Sequence, residues 1–567
     1  MIRLALTALL LTCLCLTSTP LAAQTKTVYG VLDAKVRIFR FVITVDKDGS
    51  AKLKSLDEGN REFKLDPFTM DDKKLSFELK ASKATYESTY DDKSKSYQGK
   101  WKQGAGNLDL NLAVVDKVPD DKPNEIWEGE LNVLGQKMAL RFRLYDRKKH
   151  PVLMDSPDQR VGGFSGTKTE KDGKVIIEVA AVRGRFEGKL SDDKSTIKGT
   201  WSQGVPLPLE LKKITVAEMK KDAAPPKRPQ TPKAPFPYES KNVTIKNNEA
   251  DLTLAATLTI PKNVKGKLPC AILISGSGAQ DRDESLMDHK PFWIIADHLS
   301  RNGIACLRFD DRGTAKSTGD HDKATSADFA TDVSAIIDFL KKQPQINSSK
   351  IGLVGHSEGG LIAPMVATKR DDVAFIVMLA GPGVNGEKIL KNQLRLILKA
   401  SGAADKEVEV AAFLQNKMIE LGKTKDKISD EDMASIVDAL VKKFPEQEKE
   451  KKEILANGKA GATRLSTPWM RYFLTYEPGP TLSKVKCPVL VLNGTKDTQV
   501  DPKLNLPAIK AAFKAGGKTN YKMVELENLN HLFQNCETGG LEEYQSIEET
   551  FSPKALKLVS DWIGELD

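Results

Sequence analysis

The feature that most constrains the fold of this chain is the segment 351–360, which reads IGLVGHSEGG. A short apolar run leads directly into Gly-x-Ser-x-Gly, and the small-residue segment 361–368 that follows is typical of a helix. A serine on such a sharp strand-to-helix turn has strained backbone angles, and the glycines let neighbouring segments approach closely. The N–H groups that follow point towards any oxyanion formed at Ser357. The segment therefore predicts a nucleophilic serine; the alternative is a glycine-rich turn with an incidental serine.

A general base should lie further along the chain, because this architecture orders its residues Ser, Asp, His. The chain has 6 histidines, and only His531 follows Ser357. His531 comes after the apolar segment 521–526, where a loop at the carboxyl edge of a sheet is expected. We therefore assign His531 as the base; the alternative is a solvated loop histidine.

The acid should follow the preceding strand of the same sheet. The apolar segment 488–492 leads through Gly494 to Asp497, which delivers this carboxylate to the same edge. Asp501 lies slightly further on and is the alternative. An aspartate here would hold the imidazole in its working tautomer and stabilise the imidazolium.

An oxyanion hole requires two N–H donors. One is expected from Glu358, the residue after the nucleophile, and the other from the glycine-rich loop that follows the apolar segment 271–274. We choose the amide of Ser277, with Gly276 and Gly278 as alternatives. Gly276 is also expected to border the substrate.

Four longer motifs carry a specific resemblance. They resemble motifs of the bacterial EstD-type esterases of the α/β-hydrolase superfamily, and they lie at residues 274–284, 308–317, 355–364 and 379–383. The resemblance extends over roughly residues 240–567. One departure is Thr314-Ala315, where many relatives have a second glycine.

The resemblance implies a carboxylesterase acting on short acyl esters. It also implies that Ser357, Asp497 and His531 match the family triad position by position. The same branch contains aminopeptidase-like and acyl-thioesterase-like members, so the resemblance to the superfamily is more specific than the resemblance in substrate.

The amino terminus is typical of a secretory signal peptide. Arg3 precedes the apolar segment 4–16, and the small residues 21–23 precede Gln24. We expect cleavage after Ala23, a secreted or periplasmic protein, and no stable membrane anchor after cleavage. A retained anchor is the alternative.

Charge and cysteine content exclude several classes of function. The 86 basic and 77 acidic residues give a net charge of +9, but the two signs are interleaved and the basic runs contain no aromatic residues. This pattern indicates a solvated surface and no nucleic-acid binding. The 6 cysteines are sparse, and those beyond the leader predict buried thiols without metal-ligand spacing. We expect neither a metal nor a cofactor, and the oligomeric state stays open.

Domain boundaries are indicated by composition. The proline-rich segment 219–240 predicts an extended linker between residues 24–218 and the α/β domain, residues 241–567. In the α/β domain, strands alternate with helices, which predicts a doubly wound, mostly parallel sheet. The helical patterns between the fourth and fifth parallel strands predict a cap at about residues 384–480.

The region before the linker contains an internal repeat. The segment around Trp101 recurs around Trp201, roughly 100 residues later, and both copies alternate apolar and polar residues. This predicts an all-β domain of two repeats, residues 27–115 and 125–215. Its tryptophans, including Trp127, are expected in the core. The domain is either an accessory or a binding module.

The cap segment 467–473 contains a cluster of aromatic residues and a methionine. Trp469 and Tyr472 are the predicted substrate-binding side chains, together with Met470 and Phe473. The alternative is that they form the packing seam between cap and sheet.

The leading hypothesis is a secreted serine carboxylesterase for a small-molecule ester. An aminopeptidase would need an acidic pocket for a free amino terminus, which Glu358, Asp281, Asp283 and Glu284 could supply. The hypothesis from another class is an inactive binding protein that acts through the β-repeats.

Overall fold

The computed structural model describes residues 25–566 apart from gaps at 59–60, 83, 105, 121, 134–135, 159–160, 172, 183, 204, 222–226, 401–402, 426–427, 452–453, 456–457, 459–464, 466 and 542. The chain divides into two compact units, the first ending at Pro225 and the second running from Pro226. The predicted signal peptide, residues 1–23, lies outside the described residues. In the described ranges, no helix is both long enough and apolar enough to cross a membrane.

The first repeat is an antiparallel sheet with the strand order β4-β3-β2-β1-β9-β8-β7-β6-β5. In strand Ala51–Ser55, residues 51, 53 and 55 are buried and the two between them are not, which is the period-2 pattern of a half-buried sheet. The strands are β1 (Lys26–Asp33), β2 (Ile38–Val45), β3 (Ala51–Ser55), β4 (Arg61–Leu65), β5 (Phe68–Met70), β6 (Lys74–Leu79), β7 (Ala84–Asp91), β8 (Ser96–Gln103) and β9 (Gly106–Val114). A 3-10 turn, Lys80–Ser82, joins β6 to β7.

The second repeat is a closed antiparallel barrel, completed by pairing of its first and last strands. The strands are β10 (Glu125–Val133), β11 (Gln136–Leu144), β12 (Val152–Ser156), β13 (Val161–Lys171), β14 (Lys174–Val179), β15 (Gly184–Leu190), β16 (Thr196–Gln203) and β17 (Val205–Ile214). A 3-10 turn at Ala180–Val182 and a helix at Val216–Lys221 complete the unit.

The two repeats differ at one strand. In the second repeat, β13 pairs with β12 through its first half and with β14 through its second half. In the first repeat, β4 pairs with β3 and β5 pairs with β6, and Asp66 and Pro67 lie between β4 and β5. Proline has no N–H to donate to a strand ladder, so Pro67 accounts for the interruption.

The tryptophans lie in the cores of the two repeats. Trp101 and Trp201 are 4% and 1% exposed. Each indole N–H donates a hydrogen bond to the glutamine two residues later, Gln103 at 3.2 Å and Gln203 at 3.3 Å. Trp127 is equally buried. The predicted core role of these residues agrees with their burial.

Buried charges join the two repeats. Arg143 contacts Asp155 of its own repeat at 2.7 Å and Asp57 of the first repeat at 3.4 Å. Arg40 pairs with the same Asp57 at 2.6 Å. Asp57 and Arg143 are both buried, so the carboxylate and the guanidinium compensate each other away from water.

The second unit contains a mixed eight-stranded sheet with the order β18-β19-β21-β20-β22-β23-β24-β25. An antiparallel hairpin forms one edge, and from β21 onwards the strands are parallel. The strands are β18 (Tyr238–Asn247), β19 (Leu252–Pro261), β20 (Leu268–Ile274), β21 (Ala305–Phe309), β22 (Ile346–His356), β23 (Ile376–Leu379), β24 (Val489–Gly494) and β25 (Tyr521–Leu526).

Helices cover both faces of this sheet, so it is doubly wound as predicted. One face packs against residues of three helices, Ser326–Leu340, Gly359–Lys369 and Pro502–Ala515. The other face packs against the helices Pro291–Arg301 and Pro553–Gly564. A short helix, Glu543–Ser546, precedes the last of these.

A helical insertion lies between β23 and β24. Its helices are Gly386–Ala400, Asp405–Thr424, Asp430–Lys443, Pro468–Thr475 and Gly479–Leu482, with a 3-10 segment at Pro445–Glu450. Gly386–Ala400 has an apolar face and a polar face, as expected for a helix that packs on one side only. We refer to this insertion as the cap.

The last part of the proline-rich segment packs on the second unit. The Arg228 guanidinium donates to the carbonyl oxygens of Gln545 at 2.9 Å and Ile547 at 3.0 Å. The Gln230 amide donates to the Phe551 carbonyl at 2.7 Å. These residues therefore belong structurally with the α/β domain.

Candidate active site

The candidate nucleophile lies at the junction of β22 and the helix Gly359–Lys369. Ser357 has a φ of 52°, in the left-handed region that is costly for a residue with a side chain. A Cβ at Gly355 would lie 2.0 Å from the Gly359 carbonyl oxygen, and one at Gly359 would lie 2.1 Å from that of Ile274. The two glycines of the motif are thus required by close backbone contacts, and these contacts hold the strained turn.

His531 and Asp497 form a buried pair next to this turn. The Nδ1 atom of His531 lies 2.8 Å from Oδ2 of Asp497, and both residues are buried. The other carboxylate oxygen accepts hydrogen bonds from the amides of Gln499 and Val500, each at 2.8 Å. Because both oxygens are engaged, the carboxylate is held in one orientation and directs the second ring nitrogen, Nε2, away from itself.

The alternative acid, Asp501, has a different position. Its carboxylate caps the helix Pro502–Ala515 by accepting from the Lys503 amide at 3.0 Å, and it also accepts from the Asn392 side chain at 2.8 Å. The structure therefore brings Asp497, and not Asp501, to His531.

The oxyanion-hole prediction concerns two backbone amides. Within the described part of the chain, the amides of Ser277 and Glu358 donate to no protein acceptor. The Gly276 amide, by contrast, donates to Oε1 of Glu284 at 2.8 Å and is already occupied. A Cβ at Gly276 would lie 3.2 Å from that of Ser357, so this position must stay small for the loop to approach the nucleophile.

The Glu358 side chain is buried behind its own amide. Its Oε1 accepts hydrogen bonds from the Ser326 hydroxyl at 2.6 Å and from the Trp469 indole N–H at 2.7 Å. Burial raises the pKa of Glu358 above its ordinary value, although these donors act in the opposite direction. This carboxyl links the nucleophile turn to the cap helix Pro468–Thr475.

His356, the residue before the nucleophile, is a second buried histidine of the site. Its Nδ1 lies 2.9 Å from Oε1 of Glu284, and its Nε2 donates to the backbone carbonyl of His531 at 3.0 Å. Burial by itself lowers the pKa of His356, but the Glu284 carboxylate and the His531 carbonyl outweigh it and hold the pKa above the usual value. The sequence prediction missed Glu284 and His356 as partners; the only signal for the latter was its place inside the motif.

These groups surround one cavity of about 280 Å³. Of the predicted site residues, seven line it: Gly276, Ser277, Ser357, Glu358, Trp469, Phe473 and His531. Cap residues Ile389, Leu390 and Phe473 form an apolar part of the wall. Asp497 lies behind His531. Among the described residues, the Ser357 hydroxyl makes no direct hydrogen bond to His531; contacts of this kind often shorten only when a substrate binds.

Tyr472 is not part of this lining. Its ring stacks on Tyr476 at 5.3 Å and packs against the core of the sheet, which is the packing-seam alternative. Trp469 and Phe473, one helical turn apart, stack at 5.2 Å on the face that borders the cavity. Met470 packs within the cap. The four candidates of this segment thus divide between two faces of one helix.

The second unit resembles known hydrolases in sequence. The family model described as serine aminopeptidase, S33, matches residues 292–536. Esterase EstD of Thermotoga maritima is 25% identical over 298 residues, which cover 53% of this chain and 61% of that protein. The mitochondrial palmitoyl-protein thioesterase ABHD10 of Homo sapiens is 33% identical over 151 residues, covering 26% of this chain and 43% of that protein.

Among solved structures, the crystal structure of hypothetical protein PA2218 from Pseudomonas aeruginosa is 16% identical. It covers 60% of this chain and 96% of that chain, with a TM-score of 0.36. The chain spans less than two thirds of the length of the curated relatives named above.

The second unit therefore has the α/β-hydrolase fold, as predicted, and it resembles serine hydrolases and esterases of that superfamily. Within that superfamily, the resemblance to the EstD-type esterases that the motifs predicted is confirmed, and it is combined here with an N-terminal β-domain.

Proposed function

We propose that this protein is a secreted serine carboxylesterase that hydrolyses small or short-acyl esters through an acyl-enzyme intermediate. One observation carries the proposal: the cavity that contains Ser357 is bordered by the His531–Asp497 pair and by two backbone amides without a protein acceptor. Nucleophile, base and oxyanion donors are the three elements that acyl transfer requires.

In the acylation step, the Ser357 hydroxyl oxygen attacks the ester carbonyl carbon while Nε2 of His531 takes the hydroxyl proton. The carbonyl oxygen becomes an oxyanion, and the amides of Glu358 and Ser277 donate to it. Asp497 stabilises the imidazolium that forms. Collapse of the tetrahedral intermediate breaks the bond to the leaving alkoxide, which receives the proton from His531.

In the deacylation step, water attacks the acyl carbon and gives a proton to Nε2 of His531. The second tetrahedral intermediate releases the carboxylic acid, and the proton returns to the Ser357 oxygen. The reaction consumes one water per ester and uses only side chains and amides of this chain.

The size of the site supports a small acyl group. A cavity of about 280 Å³ lies at the lower end of the range for small-molecule sites. Ile389, Leu390 and Phe473 offer an apolar surface to the acyl chain.

The carboxylates that an aminopeptidase would need are engaged elsewhere. Asp283 pairs with Arg308 and Lys290, and Asp281 accepts from backbone amides. Glu284 and Glu358 do line the cavity, but both are hydrogen-bonded within the protein. A substrate ammonium group would compete with those partners for the two carboxyl groups, and this supports an ester over a peptide.

We also propose export of the protein, with the mature chain beginning at Gln24. The support is the charged, apolar and small-residue order of the first 23 residues. Amino-terminal sequencing of the protein recovered outside the cytoplasm tests this, and an intact Met1 would contradict it.

The test of the activity is a substrate panel with a matched control. Purified protein should label with a fluorophosphonate probe and hydrolyse p-nitrophenyl esters of two to sixteen carbons with a maximum at short chains. An acyl thioester and an aminoacyl anilide belong in the same panel. Higher kcat/KM for the anilide would contradict the esterase assignment, and absence of labelling would favour a binding protein. Ser357→Ala provides the background rate.

A further inference from the structure

A continuous chain of hydrogen bonds connects the glycine-rich loop at residues 275–280, which we call the oxyanion loop, to the base His531. It begins at the Gly276 amide, which donates to Oε1 of Glu284 at 2.8 Å. Nδ1 of His356 meets the same oxygen at 2.9 Å, and its Nε2 reaches the His531 carbonyl at 3.0 Å. Glu284, His356 and His531, which form this series of hydrogen bonds with the Gly276 amide, are all buried.

The donors and acceptors of this chain define its protonation. The His531 carbonyl can only accept, so Nε2 of His356 carries a proton. Oε1 of Glu284 already accepts from the Gly276 amide, so it serves His356 as an acceptor as well. With Glu284 ionised, both ring nitrogens of His356 donate, and the carboxylate raises the pKa of His356 in favour of this imidazolium–carboxylate pair.

We propose that Glu284 and His356 are positioning residues that hold the oxyanion loop and the base His531 in the correct position relative to Ser357. The inference rests on the proposed function, since it assigns a role in the same reaction. Glu284 acts through the Gly276 amide on the neighbouring Ser277 amide. His356 acts through the His531 backbone on the imidazole that takes the proton.

The loop has an independent anchor, so the effect of Glu284 is local. Oxygens of Asp311 accept from the Ser275 hydroxyl at 2.7 Å and from the Gln280 amide at 2.9 Å, at the two ends of the loop. Loss of Glu284 leaves both ends fastened and releases only the middle, where Ser277 donates to the oxyanion. Small displacements of such a donor cost rate while the fold is retained.

The experiment compares Glu284→Ala, Glu284→Gln and His356→Gln in the full chain. Glu284→Gln keeps an amide oxygen for Gly276 but removes the charge that pairs with His356. The matched control is His298→Gln, because His298 is also half-buried and hydrogen-bonded, to Ser560 at 3.0 Å, but lies outside the active-site cavity.

The expected result is a loss of kcat with little change in KM. For a short p-nitrophenyl ester, Glu284→Ala and His356→Gln should each lower kcat about 10²-fold, the range for a displaced oxyanion donor. Glu284→Gln should recover part of this loss, and the double variant Glu284→Ala, His356→Gln should be hardly worse than either single one, as expected for residues that act as a unit. His298→Gln should match the wild type.

Stoichiometry of fluorophosphonate labelling separates positioning from structural damage. A positioning role slows labelling while every molecule eventually labels. A purely structural role would lower the labelled fraction and leave the remaining sites with a normal rate, which would overturn the proposal. Normal kcat in all three variants would overturn it too. If the wild type itself does not label, the proposed function fails, and that failure is distinct from this one.

A pH profile provides a second readout. The groups that face His356 are the Glu284 carboxylate, the His531 ring at 4.9 Å between centroids, Asp497 and the apolar ring of Phe533. Because the pKa of His356 is raised, the doubly donating form persists to higher pH than in an unperturbed histidine, and it is lost as the pH rises through that pKa. Glu284→Gln removes the main raising influence, so the alkaline limb of kcat should move to lower pH. An unmoved alkaline limb would contradict the assigned ion pair.

Discussion

Each of the two units buries carboxyl groups together with basic side chains, and the type of basic side chain differs between the units. In the first unit, which contains the two β-repeats and is called the β-unit below, Arg143 lies between Asp155 and Asp57 and joins the two repeats. In the second unit, called the hydrolase unit below, the basic side chains are histidines: His531 pairs with Asp497, and His356 pairs with Glu284. Both arrangements compensate carboxylates removed from water, and each connects segments that are distant along the chain.

The difference is one of proton chemistry. A guanidinium does not release its proton in a protein, so the Arg143 cluster has a fixed charge and can only support the fold. An imidazole exchanges protons near neutral pH, so a buried histidine–carboxylate pair can both fix geometry and take part in a reaction. Burial of charge alone does not mark an active site. The type of base and its exposure to a cavity do.

The largest effect is expected from removal of the nucleophile. Ser357→Ala should abolish fluorophosphonate labelling and lower kcat for short esters by roughly 10⁴-fold or more. The temperature of thermal unfolding should change little, since the Ser357 hydroxyl makes no hydrogen bond to another protein group in the described structure. Persistent turnover that scales with enzyme concentration would remove the acyl-enzyme mechanism.

The next effect separates the two candidate acids. Asp497→Asn should lower kcat by about 10²–10⁴, because an amide cannot hold His531 Nδ1 as a donor and misplaces the tautomer. Asp501→Asn is the matched control and should stay near the wild type, since that carboxylate caps a helix. Steady-state kinetics on one short ester distinguish them. A reversed order of the two variants would identify Asp501 as the acid.

Removal of Arg143 from the buried cluster of the β-unit should lower the free energy of unfolding and leave kcat unchanged. Arg143→Met removes the guanidinium partner of Asp155, while Asp57 keeps Arg40; breaking a buried ion pair typically destabilises a domain by about 3–5 kcal/mol. Hydrogen exchange read by mass spectrometry should show faster exchange in peptides of the β-unit, with kcat unaltered. Arg185→Met, which removes an exposed arginine from the same unit, is the control and should show little change. Equal exchange in the two variants would mean that the cluster adds no stability.

The smallest effect is expected from removal of the whole β-unit. A shortened chain that begins at Lys227 should fold, label, and hydrolyse small esters at a rate within about tenfold of the full chain, because transition-state contacts come from the hydrolase residues. It should be more stable than a chain that begins at Tyr238, which lacks the hydrogen bonds of Arg228 and Gln230. Insoluble or unlabelled protein from both versions would refute the modular interpretation.

The nucleophile turn and the position of the acid could be predicted from the sequence, because contacts between residues close together in the chain determine them. The spacing of Gly355 and Gly359 around Ser357 is required by backbone contacts within a few residues, so the turn could be predicted. The order of strand, glycine and carboxylate likewise placed an acid at the correct edge. It favoured Asp497 and kept Asp501 as the alternative, and the hydrogen bonds from Gln499 and Val500 show how the Asp497 carboxylate is held against His531.

Partners far apart in the chain could not be predicted. Glu284 and His356 are separated by 72 residues, and Glu358 and Trp469 by 111. No pattern of spacing links such pairs; they meet because parallel strands and a cap bring their loops to one edge. The aromatic cap segment was ambiguous for a related reason, because the predicted substrate contact Tyr472 lies on the other face of the helix from Trp469.

The β-repeats show the same limit in the fold. Alternation of apolar and polar residues predicted antiparallel strands and a duplication, and both are present. The second repeat closes because the single strand β13 pairs first with β12 and then with β14, whereas the first repeat has two separate strands, β4 and β5, in that place. The alternation of apolar and polar residues does not predict this difference. Pro67 was the one sequence signal for that difference.

The interrupted strand also bears on how this protein can misassemble. A closed barrel has no free edge, whereas the sheet of the first repeat ends in β4 and β5, which each pair with one neighbouring strand. Edge strands of this kind can recruit another chain. Those two strands contain only 5 and 3 residues, which limits any such intermolecular pairing. During storage at high concentration or recovery from denaturant, aggregation seeds should therefore arise in the first repeat, and peptides spanning β4 and β5 are the place to detect them.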